Sequence, residues 1–398
     1  MSDYSETTTE SWLSRLGKSI MGVFVGIILI GVSCYLLYWN EGDTYNRTLT
    51  LEKGQAETIE VDAENFNSEN NDKVVLFKGL TKTNDVLTDD KFDAISVKDS
   101  LKIKRRVEYY QWEERVETHT EKKTGGSTKT TKSYHYDKKW RTSPVSSNSF
   151  HVSEGHHNTV LINIPAGEKY AKNVNIGEFI LNDKAISNLG NEERITLNKE
   201  MNIPMKAGNY TGIKDNYVYF GNSSTDTSIG DVRVSFFVIP CADATIVAQQ
   251  KSDKSIQPKQ YDTGSLQLNY NGLLTIEEAY KKAHDANSMK AWIIRCVGIF
   301  LIYVGFMMIF KPISVLADVL PFLGNIAETG LGFISFILAC ILGFTVIAIA
   351  WIAVRPILAY TLLAIAAVMA AFAIKKLFSP KKKVQTIVSA PTEAYADL

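Results

Sequence analysis

The chain has 398 residues and balances 43 Lys and Arg against 43 Asp and Glu, so its net charge gives no electrostatic reason to expect nucleic acid or an acidic partner. Its 4 cysteines form no CxxC pair, which excludes a thioredoxin-like redox site and a cysteine zinc site. Cys34, Cys296 and Cys340 fall in apolar runs, leaving Cys241 alone in the polar middle of the chain, where no internal disulfide can form.

The apolar residues are segregated. Residues 1–18 read as a cytosolic segment, followed by a first transmembrane helix over 19–40 that contains no charge. Arg15 and Lys18 precede it, which favours a cytosolic N-terminus. The run closes on Tyr38-Trp39-Asn40-Glu41 with no small-residue cleavage pattern, so it reads as an uncleaved signal-anchor.

Residues 41–290 form a polar stretch large enough to bury its own core and read as a β-rich α+β domain on the non-cytosolic side, lumenal or periplasmic. Val74–Phe77 is a short buried strand. Leu101–Glu117 and Ser133–Trp140 flank Gly125-Gly126 and predict a long hairpin, whose polar tip, Glu121–Lys132, is expected to be unpacked. Val160–Ile164, Tyr217–Phe220, Val232–Ile239, Ala244–Gln249 and Ser265–Tyr270 are further strands. Thr275 and Glu278 form a capping box, opening a helix that can run straight into the next span.

The second span is 291–310, with Arg295 one turn inside and able to snorkel, and with Lys311-Pro312 as its end. Residues 311–329 read as a cytosolic interfacial loop. The apolar run Gly330–Ile374 would be about 68 Å long as one helix, twice a hydrocarbon core of ~30 Å. Arg355-Pro356 divides it into spans 330–354 and 356–374, with a re-entrant hairpin as the alternative. A basic tail, 375–398, carries Lys375, Lys376 and Lys381–Lys383 and belongs in the cytosol. The fold class is therefore an integral membrane protein with four transmembrane α-helices, one N-terminal and three C-terminal, both termini being cytosolic.

No catalytic or cofactor motif emerges. His151, His156 and His157 are close in sequence, but neighbouring strand residues face opposite sides, and structural or surface histidines are the commoner outcome. Asp231 and Arg233 share one strand face at i, i+2 and read as a structural ion pair rather than an anion site or catalytic pair. Residues 101–141 hold 12 Lys and Arg against 6 Asp and Glu; the topology excludes nucleic acid there and leaves a solvated hairpin or lipid headgroups. The sequons at Asn46, Asn209 and Asn222 occur at chance frequency. Gly22 with Gly26, and Gly298 with Gly305, are helix-packing candidates, within the chain or between copies. The span centres are uncharged, which argues against an ion-coupled carrier.

A set of stretches in order along the chain resembles the transmembrane protein 43 family, also called LUMA. They are Asn40-Glu41-Gly42, Phe77-Lys78-Gly79-Leu80, Lys104 through Tyr110-Gln111-Trp112, Trp140-Arg141, Phe150 with Gly155-His156, Gly230-Asp231-Val232-Arg233-Val234-Ser235-Phe236, Asn287-Ser288-Met289-Lys290 with Trp292 and Arg295, and Arg355-Pro356. The resemblance implies four spans, a large lumenal domain and self-association. Family members in animals reside in the endoplasmic reticulum and inner nuclear membrane, the nuclear envelope, with lamin- and emerin-type partners, and bacterial members place the domain in the periplasm. The Asn- and Lys-rich composition and the hairpin tip depart from the animal pattern and point to a bacterial member. From the family motif, Tyr110, Gln111, Trp112, Gly230, Asp231, Arg233, Asn287, Lys290, Arg295 and Arg355 are expected in structural or interaction roles. The expected function is a non-enzymatic scaffold that organises membrane protein complexes, its partners being the lipid bilayer, other membrane proteins and further copies of itself; the alternative is a channel or channel accessory subunit.

Overall fold

The computed structural model describes residues 4–319, 321–352 and 356–378. Helix α1 (Trp12–Glu57) carries the first apolar run and continues 17 residues beyond residue 40 without a break. The short helix α2 is Asp183–Asn188. Helix α3 (Ile276–Ala317) starts at the predicted capping box, with the Thr275 hydroxyl accepting from the Glu278 amide and the Glu278 carboxylate accepting from the Thr275 amide. Helices α4 (Pro321–Trp351) and α5 (Pro356–Phe378) complete the bundle.

Three helices, α1, α3 and α4, are long and apolar enough to cross a membrane; the apolar part of α5 is the shorter segment Pro356–Phe372. Two boundaries differ from the sequence reading. Pro312 lies inside α3 rather than ending it, and residues 311–319 and 321–329 extend the flanking helices instead of forming a loop, apart from the turn around Asp318. Proline lacks a donor and bends a helix, yet α3 continues past Pro312 and closes at Asp318, whose amide bonds the Ser314 and Val315 carbonyls.

The chain between α1 and α3, joined by Tyr4–Glu10 from before α1, builds two large sheets, antiparallel but for the parallel pair of Ile59–Glu60 with Val74–Thr83. The eight-stranded sheet runs Tyr4–Glu10, Thr128–Arg141, Ser100–Lys122, Val232–Pro240, Tyr217–Gly221, Tyr210–Lys214, with Glu193–Arg194 and Gly167–Tyr170 added at its sides. The seven-stranded sheet is built on Val74–Thr83 beside Asp243–Gln250. The predicted strand at Val160–Ile164 is irregular chain; its polar groups are used elsewhere, the Leu161 amide on the Gly230 carbonyl and the Ile164 carbonyl on the Tyr109 hydroxyl.

Strand alternation explains why Val74–Phe77 is buried on both sides. Val75 and Phe77 enter the core between the sheets with Ile103, Val107, Phe236 and Ile246. Val74 and Leu76 point the other way, onto Leu51 of α1 and Tyr280 and Ala283 of α3. The domain is thus seated on two helices that carry on into the apolar segments. Gly54 lets this seat close, since a Cβ there would overlap Leu266 and press on the Tyr280 hydroxyl. Tyr280 bonds the Thr58 hydroxyl at 2.7 Å.

Candidate functional site

Three polar clusters stand out, each fixed by a different part of the fold. The first joins α1, α3 and α4 near the domain end of the apolar bundle. Arg295 makes two bonds to Glu41, Nε to Oε1 at 2.7 Å and Nη2 to Oε2 at 2.6 Å. The Trp351 indole N–H donates to the same Oε2 at 2.6 Å. The guanidinium lies 5.0 Å from the Trp292 ring and 5.1 Å from the Trp351 ring. Arg295 therefore does not snorkel; a bidentate partner only 2 % exposed holds it inside the bundle. Asn287 donates to the Thr44 carbonyl and the Thr48 hydroxyl, and Lys290 pairs with Asp43 at 2.8 Å, so α1 and α3 are clasped above this level too.

Below it, the small residues set the helix crossing. A Cβ on Gly26 would come within 2.7 Å of the Gly305 carbonyl oxygen, one on Gly305 within 2.5 Å of Ile30, and one on Gly298 within 2.5 Å of Leu37. Gly22 makes only ordinary contact with Met308. Gly26, Gly298 and Gly305 are thus consumed in packing within the chain.

The second cluster is the root of the hairpin. The Tyr110 amide bonds the Asp231 carbonyl and the Tyr110 carbonyl accepts from the Gly230 amide. Gly230 has φ +99°, and a Cβ would meet the Thr159 hydroxyl at 2.7 Å. Gln111, 1 % exposed, ties down the following segment through Ser143 and Val145. Trp112 bonds Asn158 through both backbone groups and packs edge-on to His156. His156 also stacks on Tyr136 and His151 on Tyr134, so both histidines are aromatic packing partners.

The expected Asp231–Arg233 pair is absent. Arg233 faces Glu108 across the strands, bonded at 2.8 and 3.1 Å, between the rings of Trp140 and Tyr217. Asp231, fully buried at the strand start, accepts from the Tyr219 hydroxyl at 2.6 Å and the Ser228 amide. Burial, with the neighbouring carboxylate, pushes the Tyr219 hydroxyl up to about 12. Arg105, missed in sequence reading, is 2 % exposed and bonds Asp89, Asp90 and the Pro165 carbonyl. Its position in an alternating strand was the available signal: a charged residue on the same face as Ile103 and Val107 needs a partner inside.

The third cluster was unforeseen. The hairpin tip, expected unpacked, meets the helix ends farthest from the domain. Gly126 packs on Trp12, Arg15 bonds the Gly126 carbonyl and Asp318, and the Gly125 amide bonds the Val319 carbonyl. Lys122 bridges Asp318 at 3.0 Å and Glu328 at 2.7 Å, and Glu328 also binds Lys311. The N-terminal strand Tyr4–Glu10 joins the hairpin as a third strand. Charge rules place the tip and these helix ends on opposite membrane faces; the fold brings them together. Arg355 and Lys381–Lys383 lie outside the described residues.

Among the described residues no group of three or more His, Cys, Asp or Glu is placed to hold a metal. The clusters are ion pairs and aromatic stacks that tie elements to one another. The class they define is a multi-pass membrane protein whose β-rich domain is fixed to its helices. A family model described as Transmembrane protein 43 matches residues 109–356. The chain belongs to the transmembrane protein 43 family. It is 27 % identical over 358 residues to Transmembrane protein 43 of Rattus norvegicus, covering 87 % of this chain and 88 % of that one. Against the Homo sapiens protein of the same name it is 26 % identical over 369 residues, 90 % of each. The Drosophila melanogaster homolog is 26 % identical over 380 residues, 91 % of this chain and 94 % of its own. No solved structure matches the chain.

Proposed function

We propose that the chain is a non-enzymatic membrane organiser with four spans, whose sheets stand on the non-cytosolic side, whose hairpin tip reaches the cytosolic ends of α1 and α3, and whose C-terminus lies in the cytosol. The carrying observation is continuity: α1 and α3 pass unbroken from apolar segment to domain core, and Glu41–Arg295 and Tyr280–Thr58 lock them at two heights. Such a domain cannot swivel on a linker. It presents its surface at a fixed height and angle to the bilayer, which suits a platform on which other membrane proteins are held. The basic residues flanking the spans support the orientation. The compartment follows the host: endoplasmic reticulum and inner nuclear membrane in a eukaryote, with lamin- and emerin-type partners, or the inner membrane of a bacterium. The test is to compare the proteins cross-linked in native membranes to the full chain and to a chain in which residues 58–275 are replaced by a short linker. Loss of the partners with insertion intact is the expected result; the same partners held by the helices alone would overturn the platform reading.

A further inference from the structure

One arginine is withdrawn from water without an ion-pair partner. Arg15, Arg105, Arg106, Arg233 and Arg295 are buried or half-buried, and each meets a carboxylate. Arg47, half-buried on α1, meets none among the described residues. Its one bond to the protein there runs from Nη1 to the Ser265 carbonyl at 2.8 Å. A guanidinium carries five N–H donors, so most of this one has no protein acceptor. Burial holds its pKa below the ordinary arginine value, the mark of a cation that has lost water and not been compensated.

Arg47 lines a cavity of about 330 Å³ between α1, α3 and the strand Leu268–Asn271. Sites for small ligands begin at about this size. Ala283 and Ala286 of α3 leave the space, Ala286 being exposed to solvent. Tyr270 and Leu268 form the domain wall, and Asp43 and Lys290, paired at 2.8 Å, form another. The Asn287 amide is already spent on Thr44 and Thr48. Arg47 and Lys290 against Asp43 leave the cavity one positive charge. A phosphodiester carries one negative charge, whereas a phosphomonoester carries roughly 1.5 to 2, so the balance suits the diester. The planar arginine fork matches two phosphate oxygens.

Depth identifies where such a group comes from. Tyr38, Trp39 and Trp292 are exposed at the domain end of the apolar runs, where aromatic side chains mark the lipid headgroup level. Lys290 stands two residues from Trp292, and its ammonium lies 5.8 Å from the Trp39 ring. Asp43 and Arg47 follow Trp39 by about 6 and 12 Å along α1. A headgroup layer is roughly 5–7 Å deep on each side of the bilayer. The Lys290 wall therefore lies in that layer, and Arg47 stands just above it.

We propose that this cavity binds the phosphodiester of a membrane phospholipid, Arg47 gripping the phosphate oxygens and Lys290 closing on them from the rim. The acyl chains stay in the bilayer, so the lipid ties the seat of the domain to one leaflet. The inference rests on α1 and α3 crossing the membrane, and not on which side the domain faces.

The experiment titrates the full chain in detergent and counts retained molecules by native mass spectrometry. The probes are dioleoylphosphatidylglycerol, dioleoylglycerol, which lacks the phosphodiester, and glycerophosphoglycerol, which lacks the acyl chains. Arg47→Gln removes the charge. Ala286→Leu fills the cavity from an exposed position and leaves the charge in place. Arg194→Gln, at an exposed arginine outside the cavity, is the control. Retention of the phospholipid alone is expected, weakened about tenfold or more by Arg47→Gln and by Ala286→Leu and unchanged by Arg194→Gln. Equal retention by the natural chain and both cavity variants would overturn the site, since the lipid would then bind elsewhere on the helices. Glycerophosphoglycerol held as tightly as the phospholipid would overturn the membrane source. Release of the natural chain from alkali-washed membranes would overturn the spans, and the site with them.

Discussion

Removing the Glu41 carboxylate tests whether the domain is locked to the bundle or merely carried by it. Glu41→Ala leaves the Arg295 guanidinium, 9 % exposed, without its two carboxylate bonds, and strips the Trp351 indole N–H of its acceptor. Breaking one side of a buried pair costs about 3–5 kcal/mol, because the surviving charge stays desolvated. At roughly 2–4 °C per kcal/mol for a chain of this order, that lowers the melting temperature by about 10 °C. The companion Glu41→Leu with Arg295→Met removes both charges and keeps the volume, and such replacements are close to neutral. Melting in detergent, followed by Trp fluorescence, measures Glu41→Ala, Glu41→Leu alone, Arg295→Met alone and the Glu41→Leu, Arg295→Met double variant. The expected signature is non-additivity of at least about 2 kcal/mol, the double variant being more stable than either single one. Additive effects below about 0.5 kcal/mol would refute the reasoning, and would mean that water reaches the pair and screens it.

Three further outcomes are expected. Arg105→Met strands the buried Asp89 and destabilises the domain by about 3–5 kcal/mol, read as a lower urea midpoint with unchanged slope. Gly305→Ala pushes a methyl against Ile30 and the Gly26 carbonyl and costs about 1–3 kcal/mol, whereas Gly22→Ala, with room beside Met308, leaves the melting temperature unchanged. Acid weakens the domain. Hydrogen bonds and cations hold Asp90, Glu168 and Glu192 below their ordinary values through Arg105, Lys102 and Lys104 respectively. Carboxyls depressed in the folded state stabilise it above their unfolded pKa and lose that contribution as pH falls through the folded one. Stability should therefore be flat above pH 4.5, the ordinary glutamate value, and decline below it. Melting temperatures between pH 3 and pH 7 check this.

What the sequence made legible was local. The apolar runs, the capping box at Thr275 and the alternating strands at Val74, Tyr217, Val232 and Ala244 each carry their signal within a few residues, and each appears where the pattern puts it. What it hid was pairing at a distance. Glu41 looked like the first polar residue beyond a span because its partner Arg295 lies 254 positions away. The same separation hid the extension of α1 to Glu57: residues 41–57 read as the start of the domain until Leu51 and Gly54 are seen against Tyr280 and Leu266. Arg233 was matched with Asp231 because both stand on one strand, yet the neighbouring strand supplied Glu108 directly opposite, bonded at 2.8 Å.

The family match begins at Tyr109, in the hairpin root, and ends at Pro356, where α5 starts. Within it fall both strands of the hairpin from Tyr109 outward, the Asn287–Arg295 clasp, and Asp318 and Glu328, which receive the tip. The hairpin is thereby anchored at both ends, at its root by the Tyr110–Asp231 and Gln111–Val145 bonds and at its tip by Lys122. A strand ladder held at two points some 40 Å apart acts as a strut parallel to α1 and α3. Helices and strut share the domain at one end and the Asp318 turn at the other. A shear of α1 against α3 would have to break the Arg15–Asp318–Lys122 network, the Gly26–Gly305 crossing and the Glu41–Arg295 pair together. A partner that grips the domain therefore pulls on the far helix ends as well as the near ones, which is the mechanical property a membrane organiser requires.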